Sequence, residues 1–402
     1  MAPQTVIVVG AGPSGLLLAL LLSKQDIQVQ VLESAEHLDS QPRATHYLPP
    51  AVEELRRAGV IEDVLAAGFI PQGVAWRKID GAKIAELKMS ALDDKSVEKM
   101  VCLPLDHLGR ILAKHLERQP TAHVKYGHKV VKLEQNEHSA TVFVETKDGT
   151  TKMSADFIVG CDGANSQIRR SLFGDWEFPG KTWDQQVIAT NVYYDFSKFN
   201  WNDSNFIIHP NDWFMAAKIS EDGQWRVTYG DIPGLTREEY IKRQPQRFKD
   251  FLPGHPDSSE YRITNVGPYK VHQRCAEKFR VGRFLLAADA AHLCNPFGGM
   301  GLSGGIIDVG NLFDCLIGIF QGKVDIGILD KYDVVRREKY KTIVDPISTS
   351  NFERMWSLNP DTAGQDDPFL QLCGKAANDI ELSRQIQLGV NALKHDFTQY
   401  YS

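Results

Sequence analysis

The pattern richest in chemistry lies near the start of the chain, TVIVVGAGPSG (Thr5–Gly15). Gly10, Gly12 and Gly15 stand at G-x-G-x-x-G spacing with Ser14 beside the last of them, and Glu33 follows about 20 residues on. In such a pattern Gly10 permits a tight strand-to-helix turn, Gly12 lets a pyrophosphate approach the backbone, and Gly15 lets helix and strand pack closely. The helix N-terminus adds free N–H groups and about half a positive charge, and the Glu33 carboxylate suits a ribose hydroxyl. The chemistry implied is dinucleotide binding, without distinction between NAD and FAD.

Further candidates lie far along the chain. Arg43 sits in the loop after Glu33, where a cation either neutralises a diphosphate or is simply solvated. Asp162-Gly163, in DFIVGCDGANSQIRR, follows a short apolar run; the pair reads as a ligand contact at a strand end or as a helix cap. Asp289 ends another apolar run, and Pro296-Phe297-Gly298-Gly299-Met300-Gly301 then forms a loop of little side-chain bulk. With Leu302 it leads into a helix expected to begin near Ser303, and its bare N–H groups suit a flat, electron-accepting ring.

The elements needed to position these groups can be read from periodicity. Val6–Val9 is a buried parallel strand, Leu16–Leu22 a helix, and Ile27–Leu32 the next strand. Pro42, Pro49 and Pro50 keep the following stretch irregular until a helix over Ala51–Ala58. Residues 70–100 alternate as a hairpin, 103–119 form an amphipathic helix, and Val124–Gln135 and Thr141–Lys147 pair around Asp148-Gly149. Residues 176–270 are aromatic and β-branched, with alternating runs at Gln186–Tyr194, Asn205–His209, Trp213–Ile219 and Gln224–Tyr229, the mark of an antiparallel sheet. The end of the chain reads as helices over Ile326–Tyr340 and Gly374–Lys394, separated by a proline-marked irregular segment at 345–368.

Composition narrows the class. The 402 residues are 43% hydrophobic and 24% charged, ordinary for a globular protein of two or more lobes. A formal net charge of −6 and the lack of a basic block argue against a nucleic-acid partner. No leader or membrane anchor is expected, because the apolar run Gly305–Phe320 is interrupted by Asp308 and Asp314 and reads as a buried helix. Six scattered cysteines without metal-ligand spacing imply free thiols, no metal, and a cytoplasmic setting.

GAGPSG with Glu33, then GCDGANSQIRR, then ADAAHLCNPFGGMG together resemble the FAD-dependent aromatic hydroxylases of the p-hydroxybenzoate hydroxylase type, over roughly residues 5–345. The resemblance implies an α/β fold: a Rossmann-like FAD-binding domain (1–175 and 271–345), an antiparallel-sheet substrate domain (176–270) and C-terminal helices (346–402). It implies that Glu33 binds the adenosine ribose, Arg43 the pyrophosphate and Asp289 the ribityl chain. Asp162-Gly163 is linked to both FAD and NAD(P)H, and Pro296–Leu302 lies along the isoalloxazine. Three positions depart from the pattern: Ala288 replaces the usual Gly before Asp289, Leu105 replaces a Gln or Arg, and Ser303 replaces an Asn. The activity implied is an NAD(P)H- and O₂-dependent monooxygenation of an aromatic or polyketide-like small molecule through a flavin C4a-hydroperoxide, in secondary metabolism. NAD(P)H is a transient reductant, since no second glycine fingerprint appears. The protein is expected as a monomer or homodimer.

No residue is assigned to catalysis on the substrate. Tyr193, His209, Arg226 and Tyr229 lie on the expected sheet wall; His209 reads as a turn histidine and Arg226 as the partner of a surface acid. His46, just after Arg43, and His292, between Asp289 and the flavin loop, are better placed by sequence, although His292 also fits a packing role. The alternatives are a reductase or oxidase of the same fold without oxygen transfer and a nucleotide-sensing module. A halogenase is disfavoured by the lack of a Trp-x-Trp-x-Ile-Pro segment.

Overall fold

The computed structural model describes residues 4–41, 43–92 and 99–402. Pro42 and residues 93–98, which the sequence reading placed in an irregular stretch and a hairpin, lie outside the described residues. Thr5–Val9 forms the centre of a six-stranded sheet in the order Arg280–Val281, Phe284–Leu286, Phe157–Gly160, Thr5–Val9, Gln28–Leu32, Ala122–Lys125. All neighbours are parallel except the first pair. The two central strands, TVIVV and FIVG, are near-continuous apolar runs, as expected where both faces of a parallel sheet are covered. The helix Pro13–Ser23 covers one face and is itself buried from Gly15 to Ser23, which is why it is apolar all round.

The second large sheet has eight strands in the order His292–Leu293, Arg262–Cys275, Gly180–Tyr193, Gln224–Asp231, Phe214–Lys218, Ser204–Ile207, Gly73–Arg77, Lys83–Lys88. The hairpin expected at 70–100 therefore completes the far edge of this sheet through a parallel pairing of Gly73–Arg77 with Ser204–Ile207. Residues alternate between its faces. Ile188, Val192, Phe214, Trp225, Val227 and Tyr229 pack with the helix Arg237–Phe251 on one face. The intervening residues Asn191 and Arg226 belong to the opposite face.

Several local expectations are corrected. Asp148-Gly149 closes the hairpin between Ala140–Thr146 and Gly149–Ala155, while Lys129–Gln135 pairs on the other side of Ala140–Thr146. Ala122–Lys125 belongs to the parallel sheet instead. The long buried helix begins at Met300, not Ser303, because Gly299 adopts φ +63 and releases the next residue directly into the helix. It is the one described helix long and apolar enough to cross a membrane, and it is buried in the core. The segment beginning at 345 is not irregular: Asp345–Ser357 is a helix, continuous with Ile328–Lys339 through a π-turn over Tyr340–Val344. Pro346 sits in the first turn after the π-turn, and that wider turn accommodates both its missing N–H and the ring's clash with the preceding turn. Gly374–Lys394 is split, with helices at Pro368–Ala376 and Ile380–Leu388.

Candidate active site

Strand register sets the geometry. Leu286, Gly160, Val9 and Leu32 are partners in one row across the parallel sheet. The residues just past that row, Asp289, Asp162, Gly10 and Glu33, therefore emerge along one edge at the strand C-termini, where open α/β sheets bind ligands. Three strand spacings separate the two outer strands, about 14 Å, the scale of an extended dinucleotide.

Each glycine of the first turn has its own constraint. Gly10 has φ +103, and a Cβ there would lie 2.5 Å from the Cys161 carbonyl oxygen. A Cβ at Gly15 would lie 2.1 Å from the Gly10 carbonyl oxygen. At Gly12 a Cβ would meet nothing within 4 Å, and the backbone is ordinary at φ −67. Nothing among the described residues demands a glycine there. The bare backbone fits a group brought from outside, and it caps a helix whose first N–H groups point the same way. Beside it, Glu33 Oε2 accepts the Ala11 N–H at 2.8 Å and Oε1 the Ala35 N–H at 2.8 Å. This fixes the carboxylate and leaves acceptor capacity on Oε2. A cavity of ≈ 350 Å³ lined by Glu36, Asp39, Arg110 and Tyr126 continues from that end.

Asp162 has a structural task. Its carboxylate accepts the Ser166 hydroxyl at 2.5 Å and the N–H groups of Gln167 (2.7 Å) and Ile168 (3.2 Å), so it caps the helix Gln167–Phe173. The same helix carries Arg169, a residue without a role in the motif reading. Its guanidinium donates to the Ala164 and Ala290 carbonyls at 2.8 and 3.0 Å and lies 3.6 Å over the Phe178 ring. Arg169 thus joins the Asp162 turn to the Asp289 turn.

Asp289 keeps a solvent-accessible side chain. Surrounding protein nevertheless pushes its carboxyl up by desolvation, against the pull of His292 and Arg43. Together these describe a group on the floor of a concavity. Ala288, just before it, has φ +56, a left-handed conformation costing an alanine about 1–2 kcal/mol. Past Asp289, the loop Pro296–Gly298 is capped by Asn295, whose Oδ1 accepts the Phe297 N–H at 3.0 Å. Asn295 is held in turn by Gln273, and Gln273 by Ser348, all buried. Phe297 stacks on Phe352 at 4.7 Å. This network comes from three distant segments and carries no sequence motif.

The segment Arg43–Leu48 joins the two sheets. Arg43 is exposed, pairs with Asp39 at 2.9 Å and acts electrostatically on Asp289. The short strand His46–Tyr47 pairs with Val101–Cys102, and the Leu48 N–H donates to the buried Ser303 hydroxyl at 3.0 Å. The Ser303 departure thus ties this segment to the start of the long helix, while Leu105 contributes its N–H to the Ala44 carbonyl at 3.0 Å. His46 reaches the sheet wall: Nδ1 lies 2.8 Å from Thr45 Oγ1 and Nε2 3.4 Å from Ser204 Oγ.

Arg226 is not on the surface as the sequence suggested. It is half-buried, its Nε donates to Asn191 Oδ1 at 3.0 Å, and desolvation pulls its pKa down to about 10. Its charge acts on both His46 and Tyr269, whose phenol is pushed up by burial. These groups form a polar patch beside the aromatic cluster that contains Phe297, against which Tyr269 packs. Asn191 Nδ2 is buried there with no hydrogen-bond partner among the described residues. The other wall candidates do not join it. Tyr229 is fully buried on the opposite face. Tyr193 donates to Asp222 at 2.7 Å at the exposed edge. His209 Nδ1 accepts the Asp212 N–H at 2.9 Å in its turn. His292 is buried against Asp308 at 2.7 Å. All six cysteines are free, and no cluster of metal-ligating residues occurs among the described residues.

His46 gives a stability prediction. Burial, then the Arg226 charge, pushes its pKa down from 6.5 to about 4. The unfolded chain therefore binds a proton between pH 6.5 and 4 that the native protein does not, and stability falls as pH drops through that window. From pH 6.5 to 5 the loss is about 1.6 kcal/mol. His46→Gln is expected to remove that slope, read from urea denaturation at the two pH values; an unchanged slope would show that His46 is not held neutral.

Residues 4–346 match the family model described as "FAD binding domain". The chain is 36% identical over 389 residues to para-nitrophenol 4-monooxygenase of Pseudomonas sp. (strain WBC-3), covering 96% of this chain and 95% of that protein. It is 34% identical over 364 residues to 6-hydroxy-3-succinoylpyridine 3-monooxygenase of Pseudomonas putida (strain DSM 28022 / S16), covering 90% and 92%. The crystal structure of p-nitrophenol 4-monooxygenase from Pseudomonas putida DLL-E4 superposes with a TM-score of 0.91 at 36% identity, covering 97% of this chain and 98% of that one.

Proposed function

The chain belongs to the FAD-dependent aromatic hydroxylase family and is an FAD-dependent monooxygenase, and from that premise we propose that it inserts one oxygen atom from O₂ into a ring carbon of a small phenolic substrate, with NAD(P)H as reductant. FAD supplies the electron transfer and oxygen activation that the amino-acid side chains lack. The observation that carries the reading is the Arg43–Leu48 segment. It sets His46 Nε2 3.4 Å from Ser204 Oγ of the second sheet and ties Leu48 to Ser303 at the start of the long helix, with Arg43 within electrostatic reach of Asp289, so one short stretch links the nucleotide edge to the second sheet.

In this reading Gly10, Gly12, Ser14 and Gly15 receive the diphosphate at the helix N-terminus, and Arg43 neutralises it. Glu33 binds the adenosine ribose and Asp289 the ribityl chain. The Asp162-Gly163 turn borders the nucleotide while Asp162 holds the helix that carries Arg169. Pro296, Gly299, Gly301 and Leu302 would lie along the isoalloxazine, with the first-turn N–H groups of Gly301 and Leu302 free to meet its polar edge. Arg226, held by Asn191, attracts the substrate's phenolic oxygen. Uncharged His46 and the Tyr269 phenol orient it, and the Phe297 cluster excludes water from the ring. The two full-length relatives are named for a nitrophenol and a hydroxypyridine, and a compact patch of this kind suits one hydroxylated ring.

The purified protein is expected to be yellow, to oxidise NADH or NADPH faster when 4-nitrophenol or a hydroxypyridine is added, and to yield a product carrying one ¹⁸O from ¹⁸O₂. Accelerated NAD(P)H oxidation with only H₂O₂ formed across a panel of phenols would instead establish the oxidase alternative.

A further inference from the structure

Asp308 is the acid that interrupts the apolar helix Met300–Phe320, and it is fully buried. Its Oδ2 accepts the Ala288 N–H at 3.0 Å and lies 2.7 Å from His292 Nε2, while Oδ1 accepts Arg336 Nε at 2.7 Å. Arg336 is anchored by donating to the Leu393 carbonyl at 2.7 Å. The His292 ring is held between Phe279 and Tyr340, at centroid distances of 5.8 and 5.2 Å. Every oxygen of the carboxylate is therefore directed, and one of its bonds goes to the backbone of the one residue before Asp289.

That residue is Ala288, left-handed at φ +56 where the family resemblance leads one to expect glycine. Alanine does not hold this conformation by itself. One helical turn before Asp308, Gly305 leaves the room that the Ala288 methyl needs: a Cβ at Gly305 would lie 2.6 Å from Ala288 Cβ. Gly305 and Asp308 are three residues apart and so share one helix face. Between them they make a mould for the turn, a cleared space on the methyl side and a charged acceptor on the N–H side.

We propose that Asp308 is the positioning residue for Asp289: by clamping the Ala288 N–H it holds the left-handed turn that presents the Asp289 carboxylate to FAD. The inference rests on the reading that Asp289 binds the cofactor. His292 and Arg336 serve the clamp by fixing the carboxylate, and neither touches the flavin in this account.

The test is a double-mutant cycle on FAD affinity, measured by flavin fluorescence on reconstituted apoprotein, with the apoprotein melting temperature recorded alongside. D308N is expected to weaken FAD binding tenfold or more in the Ala288 parent, but less than threefold in the A288G background, because glycine adopts the turn without a clamp. A structural role alone predicts the same loss in both backgrounds, and that result overturns the proposal, as does a D308N affinity within twofold of the parent. If D308N does not fold, G305A presses on the Ala288 methyl without touching the carboxylate. It is expected to weaken FAD tenfold, a loss that A288G removes, and persistence of the loss overturns the proposal. Amide hydrogen exchange at Ala288, expected to lose protection in D308N without any cofactor, reads the clamp independently. D289N, run in parallel, tests whether Asp289 binds FAD at all, so a failure of the functional reading is told apart from a failure of the clamp.

Discussion

Gly12→Val is expected to leave the apoprotein folded and to strip it of flavin. At Gly12 a new Cβ finds no protein atom within 4 Å, and φ −67 with ψ 168 suits valine. The folding cost is limited to a poorer helix cap, about 1 kcal/mol. The isopropyl group instead occupies the space over the free N–H groups of the helix start. Each charge-assisted hydrogen bond lost to a phosphate costs about 1.5–3 kcal/mol, so losing two weakens FAD about a hundredfold or more. Gly15→Ala is expected to act on the fold first. Its Cβ would lie 2.1 Å from the Gly10 carbonyl oxygen and 3.2 Å from Val8 Cγ1, and overpacking there costs about 1–3 kcal/mol or more. Measured on both variants, melting temperature should fall more in Gly15→Ala than in Gly12→Val, whose main loss is in FAD affinity. If Gly12→Val unfolds the protein, or binds FAD as the parent does, the glycine is not there for the diphosphate.

That contrast indicates which parts of the site were legible in the sequence. The glycine turn is a local backbone requirement, so the residues that state it are adjacent. Glu33, Asp162 and Asp289 were legible because each ends an apolar run, and parallel strands bring such ends to one edge. The helix at Asp345–Ser357 was not legible, because Pro346 reads as a breaker unless it is known to fall in a first turn. The Asn295–Gln273–Ser348 network has no local signal, since its members come from three elements whose meeting is decided by docking.

Arg226 and Tyr229 show the same limit within one strand. Period two along QWRVTYGD separates them: Trp225, Val227 and Tyr229 share one face and Arg226 lies on the other. Strand parity alone was enough to exclude Tyr229 from any wall that holds Arg226. What parity does not supply is burial. Whether Arg226 meets water or a pocket depends on groups such as His46 and Tyr269 coming up to that face, from positions far apart in sequence.

Arg226→Met is therefore expected to have a large effect on substrate and a small one on cofactor. Methionine keeps much of the length and apolar contact of the arginine stem, so the change isolates the charge. In the parent, Asn191 holds Nε at 3.0 Å, and the positive charge is strong enough in its surroundings to help depress His46. The same field lowers the pKa of a bound phenol, favouring the ionised and more nucleophilic ring. Removing it from a partly buried site costs about 2–4 kcal/mol of binding, which is roughly a 30- to 1000-fold loss of affinity for 4-nitrophenol. The spectrum of the bound phenol supplies a second readout. Below the free phenol's pKa, the parent is expected to bind it largely as the phenolate, and the variant as the neutral phenol. Arg226→Lys should recover part of the affinity, since it restores charge without the planar fork that Asn191 orients. FAD affinity should change little in either variant, because Arg226 stands on the sheet wall and the diphosphate lies beyond Arg43. Equal losses of substrate and FAD would mean that Arg226 supports the packing of the two sheets, and an unchanged phenol spectrum would remove it from the substrate site.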